Sequence, residues 1–192
     1  MKSCSALLGF ALTLLLFPLS LPRGAAQEPL ATQQHTVILL RHAEKDTAGD
    51  PKDPGLTAAG EERARALARL LGHAGVTRLV ASEFRRTQAT LAPLAAAAKL
   101  SVETHPAMDL DGLAAELLRA PAGSLTVVAG HSNTLPALAE KLGTPLAGFA
   151  AGENLADSEY DRLFVLTVGL AVPDPKAKPA RGLALELRYG AL

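Results

Sequence analysis

Thr36-Val37-Ile38-Leu39-Leu40-Arg41-His42-Ala43-Glu44 decides the fold, because an apolar run of strand length passes directly into a cation and an imidazole. An unbroken apolar run with β-branched residues is what a strand covered on both faces requires. Polar chemistry just beyond its carboxyl end is the arrangement of an open α/β sheet, whose ligands bind outside the ends of the strands. A second run, Leu125-Thr126-Val127-Val128-Ala129-Gly130, passes into His131-Ser132-Asn133 and then into an apolar stretch of helical composition. Two strand ends therefore each present a histidine.

Outward from these runs, strands alternate with helices. Thr57 to Gly72 sets Leu67, Leu70 and Leu71 against Glu61, Glu62, Arg63, Arg65 and Arg69, with Thr57 as N-cap and Gly72 as stop. Arg78 to Ala81 reads as a short buried strand, and Phe84 to Ala98 as helical, broken or restarted at Pro93. Val102 to Thr104 is a weak strand, Leu110 to Arg119 a short helix ended by Pro121 and Gly123, and Leu135 to Leu142 a helix ended by Gly143. Arg162 to Leu170 is β-rich, Leu183 to Tyr189 alternates as a half-buried edge strand does, and Pro173 to Pro179 between them is a hairpin or solvated loop. Gly143 to Ser158, rich in Gly and small residues, is an irregular loop near the site. This order predicts an α/β three-layer sandwich with a mostly parallel central sheet and helices on both faces.

The first residues read as an export signal, with Lys2 as the positive region, Ala6 to Leu21 as the apolar core and Gly24-Ala25-Ala26 as a small-residue cleavage site. An uncleaved membrane anchor is the alternative, since the apolar stretch is nearly long enough to span; Pro18, Pro22 and the small-residue site favour removal. The expected organisation is a signal peptide over residues 1–26 and one domain over 27–192, beginning with a polar tail to Gln34, periplasmic or secreted and without a stable membrane anchor. The single cysteine, Cys4, lies before the apolar core. It is badly placed for lipid attachment at the cleavage site, and without it the mature domain has no disulfide, thiolate metal site or thiol nucleophile. Acidic and basic residues balance at 19 each over the full chain. Loss of Lys2 and Arg23 tips the domain slightly acidic, which argues against nucleic acid or an anionic membrane surface as partner. With no Trp and few aromatics, the core must be mainly aliphatic.

Three pieces lie at or just past strand ends: Arg41-His42, Ser82-Glu83-Phe84-Arg85-Arg86-Thr87, and Gly130-His131-Ser132-Asn133. If the strands run parallel, one rim gathers two imidazoles and up to three guanidiniums without a carboxylate in each piece to balance them. Such a rim suits a dianionic phosphoryl group, whose oxygens guanidinium forks match in pairs. Two histidines flanked by arginines repel a divalent cation, and no third ligand has the expected spacing, so no metal or other cofactor is expected.

With these pieces, the sequence resembles the histidine phosphatase superfamily, of phosphoglycerate-mutase-like fold. The matching residues are Leu40-Arg41-His42-Ala43-Glu44, then Leu56-Thr57-Ala58-Ala59-Gly60 leading into a helix, then Ser82 with Arg86 and Thr90, then Gly130-His131-Ser132, in the family's order across most of the domain. Small exported bacterial members with Gly-His-Ser-Asn and a later Glu159-Tyr160-Asp161 are the most similar. Many members have Gly where this chain has Ala43.

The resemblance implies that His42 takes the phosphoryl group as nucleophile, that Arg41, Arg86 and His131 bind its oxygens, and that water then hydrolyses the phosphohistidine. Attack needs a neutral His42, with an acceptor on its other ring nitrogen to fix the tautomer. Ser132, Asn133 and the backbone amides near them are further phosphate donors. Larger members carry a general acid on a segment that is compact here; Asp109 or Asp111 is favoured, with Glu83 and Glu44 nearer the motifs, and compact members that cleave phosphoramidates need no strong acid. The implied activity is metal-independent hydrolysis of phosphomonoesters or related phosphoryl compounds, with a phosphorylated small molecule as partner and the oligomeric state open. Mutase activity is disfavoured by the lack of long insertions. The alternatives are a phospho-ligand-binding protein with little turnover and a phosphatase of cell-envelope sugar phosphates.

Other residues have plainer readings. His35, His73 and His105 lack a motif and are solvated or structural. Spacing from Ser82 selects Arg86 over Arg85, and Arg63, Arg65 and Arg69 form a solvated helix face. Glu44 either orients the Arg41-His42 loop or is simply exposed, and Glu159-Tyr160-Asp161 either closes the rim or makes a turn.

Overall fold

The computed structural model describes residues 34–150, 152–169 and 182–190. The expected signal peptide, its cleavage site and the Pro173 to Pro179 loop lie outside the described residues. No described helix is long and apolar enough to cross a membrane.

The chain runs β1 (Gln34–Arg41), α1 (Ala58–Leu71), β2 (Arg78–Ala81), α2 (Arg85–Ala98), β3 (Val102–Thr104), α3 (Leu110–Leu118), β4 (Leu125–Gly130), α4 (Leu135–Lys141), β5 (Arg162–Gly169) and β6 (Ala184–Arg188). The six strands form one sheet in the order β3-β2-β4-β1-β5-β6. The pairs from β3 through β1 are parallel, whereas β5 pairs antiparallel with both β1 and β6. Only β5 runs against the others, so the sheet is mostly parallel.

Alternation along β1 divides the core in two. Ile38 and Leu40 point to the face where α1 and α2 lay down Leu67, Leu71, Leu91 and Leu94. Val37 and Leu39 point to the other face, against Leu113, Leu117, Leu135 and Leu138 of α3 and α4. This makes the three layers, and it explains why β1 is apolar without a polar phase: both of its faces are covered.

The helix boundaries follow local chemistry. Thr57 caps α1 by accepting the Gly60 amide at 3.1 Å. Pro93, expected to break or restart the second helix, instead lies inside a continuous α2. The proline removes one backbone hydrogen bond, but Thr90 and Leu91 before it and Leu94 and Ala95 after it are all buried on one side. Docking of that face holds the helix together across the gap.

The edge strand β6 also departs from expectation. Leu185 and Leu187 pair with Val165 and Leu163 on the α1 side of the sheet, yet they remain 52% and 42% exposed. The strand is at the edge as its alternation predicts, but it is exposed on both faces.

Candidate active site

Parallel pairing of β1 with β4 sets Arg41 beside Gly130, and the His42 amide continues the ladder by donating to the Gly130 carbonyl at 3.0 Å. The two strand ends therefore bring His42 and His131 together, with ring centroids 5.4 Å apart and planes inclined by 64°. β2, paired to the other side of β4, delivers Ser82 and then α2 with Arg86. Gly130 is required at this junction: a Cβ there would lie 2.9 Å from both Leu135 Cδ2 and Thr134 Oγ1.

His42 is almost fully buried, and its Nδ1 lies 2.7 Å from the Ala43 carbonyl oxygen. A carbonyl only accepts, so Nδ1 carries the proton and Nε2 keeps a free lone pair. Burial is the main reason that the His42 pKa falls to about 3, with the charges of His131, Arg86 and Arg41 acting the same way against the Ala43 hydrogen bond. The ring is thus a neutral imidazole of fixed tautomer. The Ala43 peptide is held in turn, its amide donating to Thr90 Oγ1 at 2.9 Å while Thr90 donates to the Arg86 carbonyl at 2.7 Å.

Next along the loop, Glu44 is gripped by Arg63 of α1 through contacts of 2.7, 2.9 and 3.1 Å. Burial is the largest single influence and would raise the Glu44 carboxyl, but the Arg63 hydrogen bonds, a backbone hydrogen bond and the Arg63 charge together outweigh it and hold the pKa below the usual carboxylate value. Glu44 therefore anchors the histidine loop, and Arg63 is a partner of the site rather than part of a solvated face. Gly60 permits this approach, since a Cβ there would lie 2.5 Å from the Glu44 carbonyl oxygen. The Leu-Thr-Ala-Ala-Gly segment thus combines a helix cap with a close backbone contact to the loop after His42.

Arg41 is 3% exposed. Its Nη1 donates to the carbonyls of Ala156 at 2.8 Å and Asp157 at 3.1 Å, and its guanidinium stacks over the Tyr160 ring at 4.2 Å. The Gly143 to Ser158 loop is accordingly at the site, and Tyr160, 6.1 Å from the His42 ring, forms its rim. Glu159 and Asp161 turn away into ion pairs with Arg162 and Arg188. On the opposite side Arg86 lies over Phe84 at 4.3 Å and 3.7 Å from Asp53, while Arg85 is exposed and uses its backbone amide on Asp53 at 3.0 Å. Burial lowers the Arg86 pKa. Tyr160 thus gives the Glu159-Tyr160-Asp161 segment its place at the rim, and Phe84 lies within the Ser82 to Thr87 piece, whereas Asp53 carries no sequence motif and only proximity in the fold identifies it.

His131 contacts Ser82 Oγ through Nε2 at 2.9 Å and meets the edge of Phe84 at 5.3 Å. An apolar crevice lined by Leu110, Leu113, Leu135 and Leu138 borders its ring. Burial, followed by the Arg86 charge, lowers its pKa to about 4. Ser132 and Asn133 form the turn before α4, where the amides of His131, Thr134 and Leu135 are already engaged within the turn. The Ser132 carbonyl accepts from Leu155 at 3.0 Å and ties the irregular loop to this turn.

The acidic candidates are placed differently. Asp109 is the N-cap of α3, accepting the Gly112 amide at 2.9 Å, and it lies 3.4 Å from His105 Nε2. Asp111 pairs with Lys141 of α4 on the surface. Neither carboxylate contacts His42 or His131 among the described hydrogen bonds, and the carboxylate whose charge acts on His131 is Glu83. His35 is buried rather than solvated; neither ring nitrogen makes a full hydrogen bond, and burial lowers its pKa despite the nearby Leu117 carbonyl. Among the described residues no group of three His, Cys, Asp or Glu side chains is arranged to hold a metal ion.

Taken together, the rim offers a neutral imidazole with an unprotonated Nε2 beside two guanidiniums and a second imidazole, a set of groups suited to receiving a phosphoryl group. The sequence model of the histidine phosphatase superfamily (branch 1) matches residues 37–109. A solved chain from Nakamurella multipartitia, assigned by inference as the phosphohistidine phosphatase SixA, is 27% identical with a TM-score of 0.56, over 82% of this chain and 98% of that one. The protein histidine phosphatase SixA complexed with tungstate is 20% identical with a TM-score of 0.56, over 80% and 96% of the two chains. Mycobacterial hydrolase 2 is 18% identical with a TM-score of 0.59, over 79% and 89%. These last two likenesses are of fold alone. No curated protein sequence matches the chain.

Proposed function

We propose, from its place in the histidine phosphatase superfamily, that this chain is a metal-independent phosphatase that works through a phosphohistidine on His42. The observation that carries the reading is the 2.7 Å contact of His42 Nδ1 with the Ala43 carbonyl, which leaves Nε2 as the attacking atom. In the first step Nε2 bonds to phosphorus as the bond to the leaving group breaks. In this reading Arg41, Arg86 and His131 bind the oxygens of the transferring group, with Ser132 and Asn133 as further phosphate donors. In the second step water displaces His42 and releases inorganic phosphate.

The supporting logic is electrostatic. Transition-state charge spreads over the phosphoryl oxygens, and buried guanidiniums stabilise that charge better than solvated ones do. The neutral His42 ring leaves as a neutral imidazole because Nδ1 already holds its proton. Asp109 or Asp111 is proposed as the acid for a poor oxygen leaving group, although each has another partner at hand.

A second reading favours phosphoramidates, such as phosphohistidine itself, as the substrate class. The capping role of Asp109 and the Lys141 pairing of Asp111 support it, because a nitrogen leaving group can depart without a strong protein acid. We also propose that the protein acts outside the cytoplasm after cleavage near Ala26, which N-terminal sequencing of the exported protein checks. Envelope sugar phosphates are the substrate class that location suggests, and unchanged envelope phosphate in cells lacking the protein removes that idea.

The deciding experiment assays the protein on p-nitrophenyl phosphate, a phosphomonoester panel and a phosphoramidate, with chelator present, beside His42→Ala. Turnover that His42→Ala abolishes, with labelled phosphate trapped on His42 after a quench that avoids acid, is the expected result. Wild type no faster than His42→Ala sinks the enzyme reading and leaves a phospho-ligand-binding protein.

A further inference from the structure

The hydroxyls of Ser82 and Thr87 form a chain beneath the second histidine that has a single polarity. Thr87 Oγ1 lies 2.7 Å from the Phe84 carbonyl oxygen and 3.1 Å from that of Ser82. Carbonyls only accept, so the one hydroxyl proton of Thr87 goes to the backbone. Ser82 Oγ lies 2.8 Å from Thr87 Oγ1, and with that proton placed, Ser82 must be the donor. The proton of Ser82 is then committed as well. Its 2.9 Å contact with His131 Nε2 therefore requires the proton to sit on the imidazole nitrogen.

We infer that Ser82 and Thr87 are positioning residues that hold His131 as its Nε2–H form, so that Nδ1 takes a proton from the water that hydrolyses the phosphohistidine on His42. The inference rests on the phosphatase reading above and gives the neutral ring of His131 a role as proton acceptor in the second step. Water attacks phosphorus while one of its protons passes to His131 Nδ1. The bond from phosphorus to His42 Nε2 breaks, and its electron pair returns to Nε2. The products are inorganic phosphate, a neutral His42 and a protonated His131, which then gives its proton to the released phosphate or to bulk water.

Burial makes the chain persistent. Ser82 is 6% exposed and Thr87 0%, so solvent does not compete for their hydroxyls. The His131 backbone is pinned as well, its amide donating to Thr134 Oγ1 at 2.9 Å. The charged or titratable groups acting on His131 are Arg86, Arg41 and Lys45 against Glu83, with His42 across the site. In the resting site burial keeps the ring neutral at pH 7, and a bound phosphoryl group adds negative charge that raises its basicity.

Nitrogen-15 NMR of the imidazole rings at pH 7, on the wild-type protein and on Thr87→Val and Thr87→Ser, tests the chain directly. Valine keeps the shape of Thr87 and removes its hydroxyl, freeing Ser82 to turn its proton toward His131; serine restores the hydroxyl. The expected result is an Nε2–H ring in wild type and Thr87→Ser, and a mixed population in Thr87→Val. Single-turnover decay of the phosphoenzyme should fall at least about tenfold in Thr87→Val and recover in Thr87→Ser, within the loss of up to ~10⁴ that a wrong imidazole tautomer causes in a serine protease triad. An amide spectrum of folded Thr87→Val separates this effect from unfolding. A wild-type ring protonated on Nδ1, or a Thr87→Val protein with unaltered tautomer and decay, overturns the inference. A wild-type Nε2–H ring with no phosphoenzyme overturns the phosphatase reading instead, and the base role of His131 with it.

Discussion

His42 and Ala43 lock one another: the ring of the first faces the carbonyl of the second at 2.7 Å, and the Ala43 amide is held by Thr90 Oγ1 at 2.9 Å. The tautomer of the proposed nucleophile thus depends on a threonine from α2. Thr90→Val removes the acceptor and leaves a buried amide unpaired, which costs about 1–3 kcal/mol of stability. The kcat should fall by about tenfold or more through misorientation of His42, and Thr90→Ser should retain most of it. Denaturant unfolding beside steady-state kinetics checks both parts; a stable Thr90→Val enzyme with wild-type kcat rejects the coupling.

The depressed pKa values of His42 and His131, about 3 and about 4, set two pH dependences. Neutral imidazoles persist well below pH 6.5, so the acid limb of kcat/KM should lie near pH 4 rather than near 6.5. For stability, the unfolded histidines bind protons from about pH 6.5 downward while the folded ones do not. The folded state therefore loses stability as pH falls from 6.5 toward 4, and tungstate or phosphate bound at the site should offset the loss. Urea titrations at several pH values, with and without oxyanion, measure this; stability that rises as the histidines are expected to protonate contradicts the assignment.

Gly60 is where α1 meets the histidine loop. A Cβ at this position would lie 2.5 Å from the Glu44 carbonyl oxygen, so Gly60→Ala must push the loop or the helix aside, at about 1–3 kcal/mol. Gly55→Ala, with no atom within 4 Å of its added Cβ, is the control and should stay near wild type. Both activity and thermal midpoint should drop in the first variant only; equal behaviour of the two removes the close-contact argument.

Asp109 and Asp111 separate capping from acid catalysis. Asparagine caps a helix about as well as aspartate, while alanine loses about 0.5–2 kcal/mol. If Asp109 serves only as the cap, Asp109→Asn should keep kcat and thermal midpoint, and Asp109→Ala should lose stability alone. A large loss of kcat on an alkyl phosphate, absent with p-nitrophenyl phosphate and with the midpoint unchanged, would identify Asp109 as the proton donor. The same pair of substrates applied to Asp111→Asn decides its case.

The strand ends carrying His42 and His131 were legible because each is encoded locally, by an apolar run that stops at a histidine. Thr57 was legible as a cap for the same reason. Pro93 misled because the packing of Leu91 and Leu94 on both sides of it is tertiary, and β6 misled because alternation reveals a strand but not whether anything covers it. The acceptor for His42, the relay from His131 to Thr87 and the grip of Arg63 on Glu44 were invisible for a different reason. Each depends on the approach of side chains or carbonyls from separate elements, or on the direction of a backbone group. Arg41 reaches a carbonyl 115 positions away, a distance over which composition and spacing carry no signal.

The reversal of β5 has a consequence for how such a pocket can diversify. Because this strand runs against β1, it is the entering end of β5 that lies at the reactive rim, and the irregular loop preceding it arrives over Arg41 and Tyr160. The groups proposed to grasp the phosphoryl oxygens belong chiefly to parallel strand ends and α2, whereas this portion of the wall belongs to a loop anchored on Arg41 mainly by backbone carbonyls. Carbonyl anchoring is indifferent to side-chain identity. On the proposed function, the loop can therefore exchange its residues, and with them the preference for what a phosphate is attached to, while the proposed grip on the phosphate itself stays as it is.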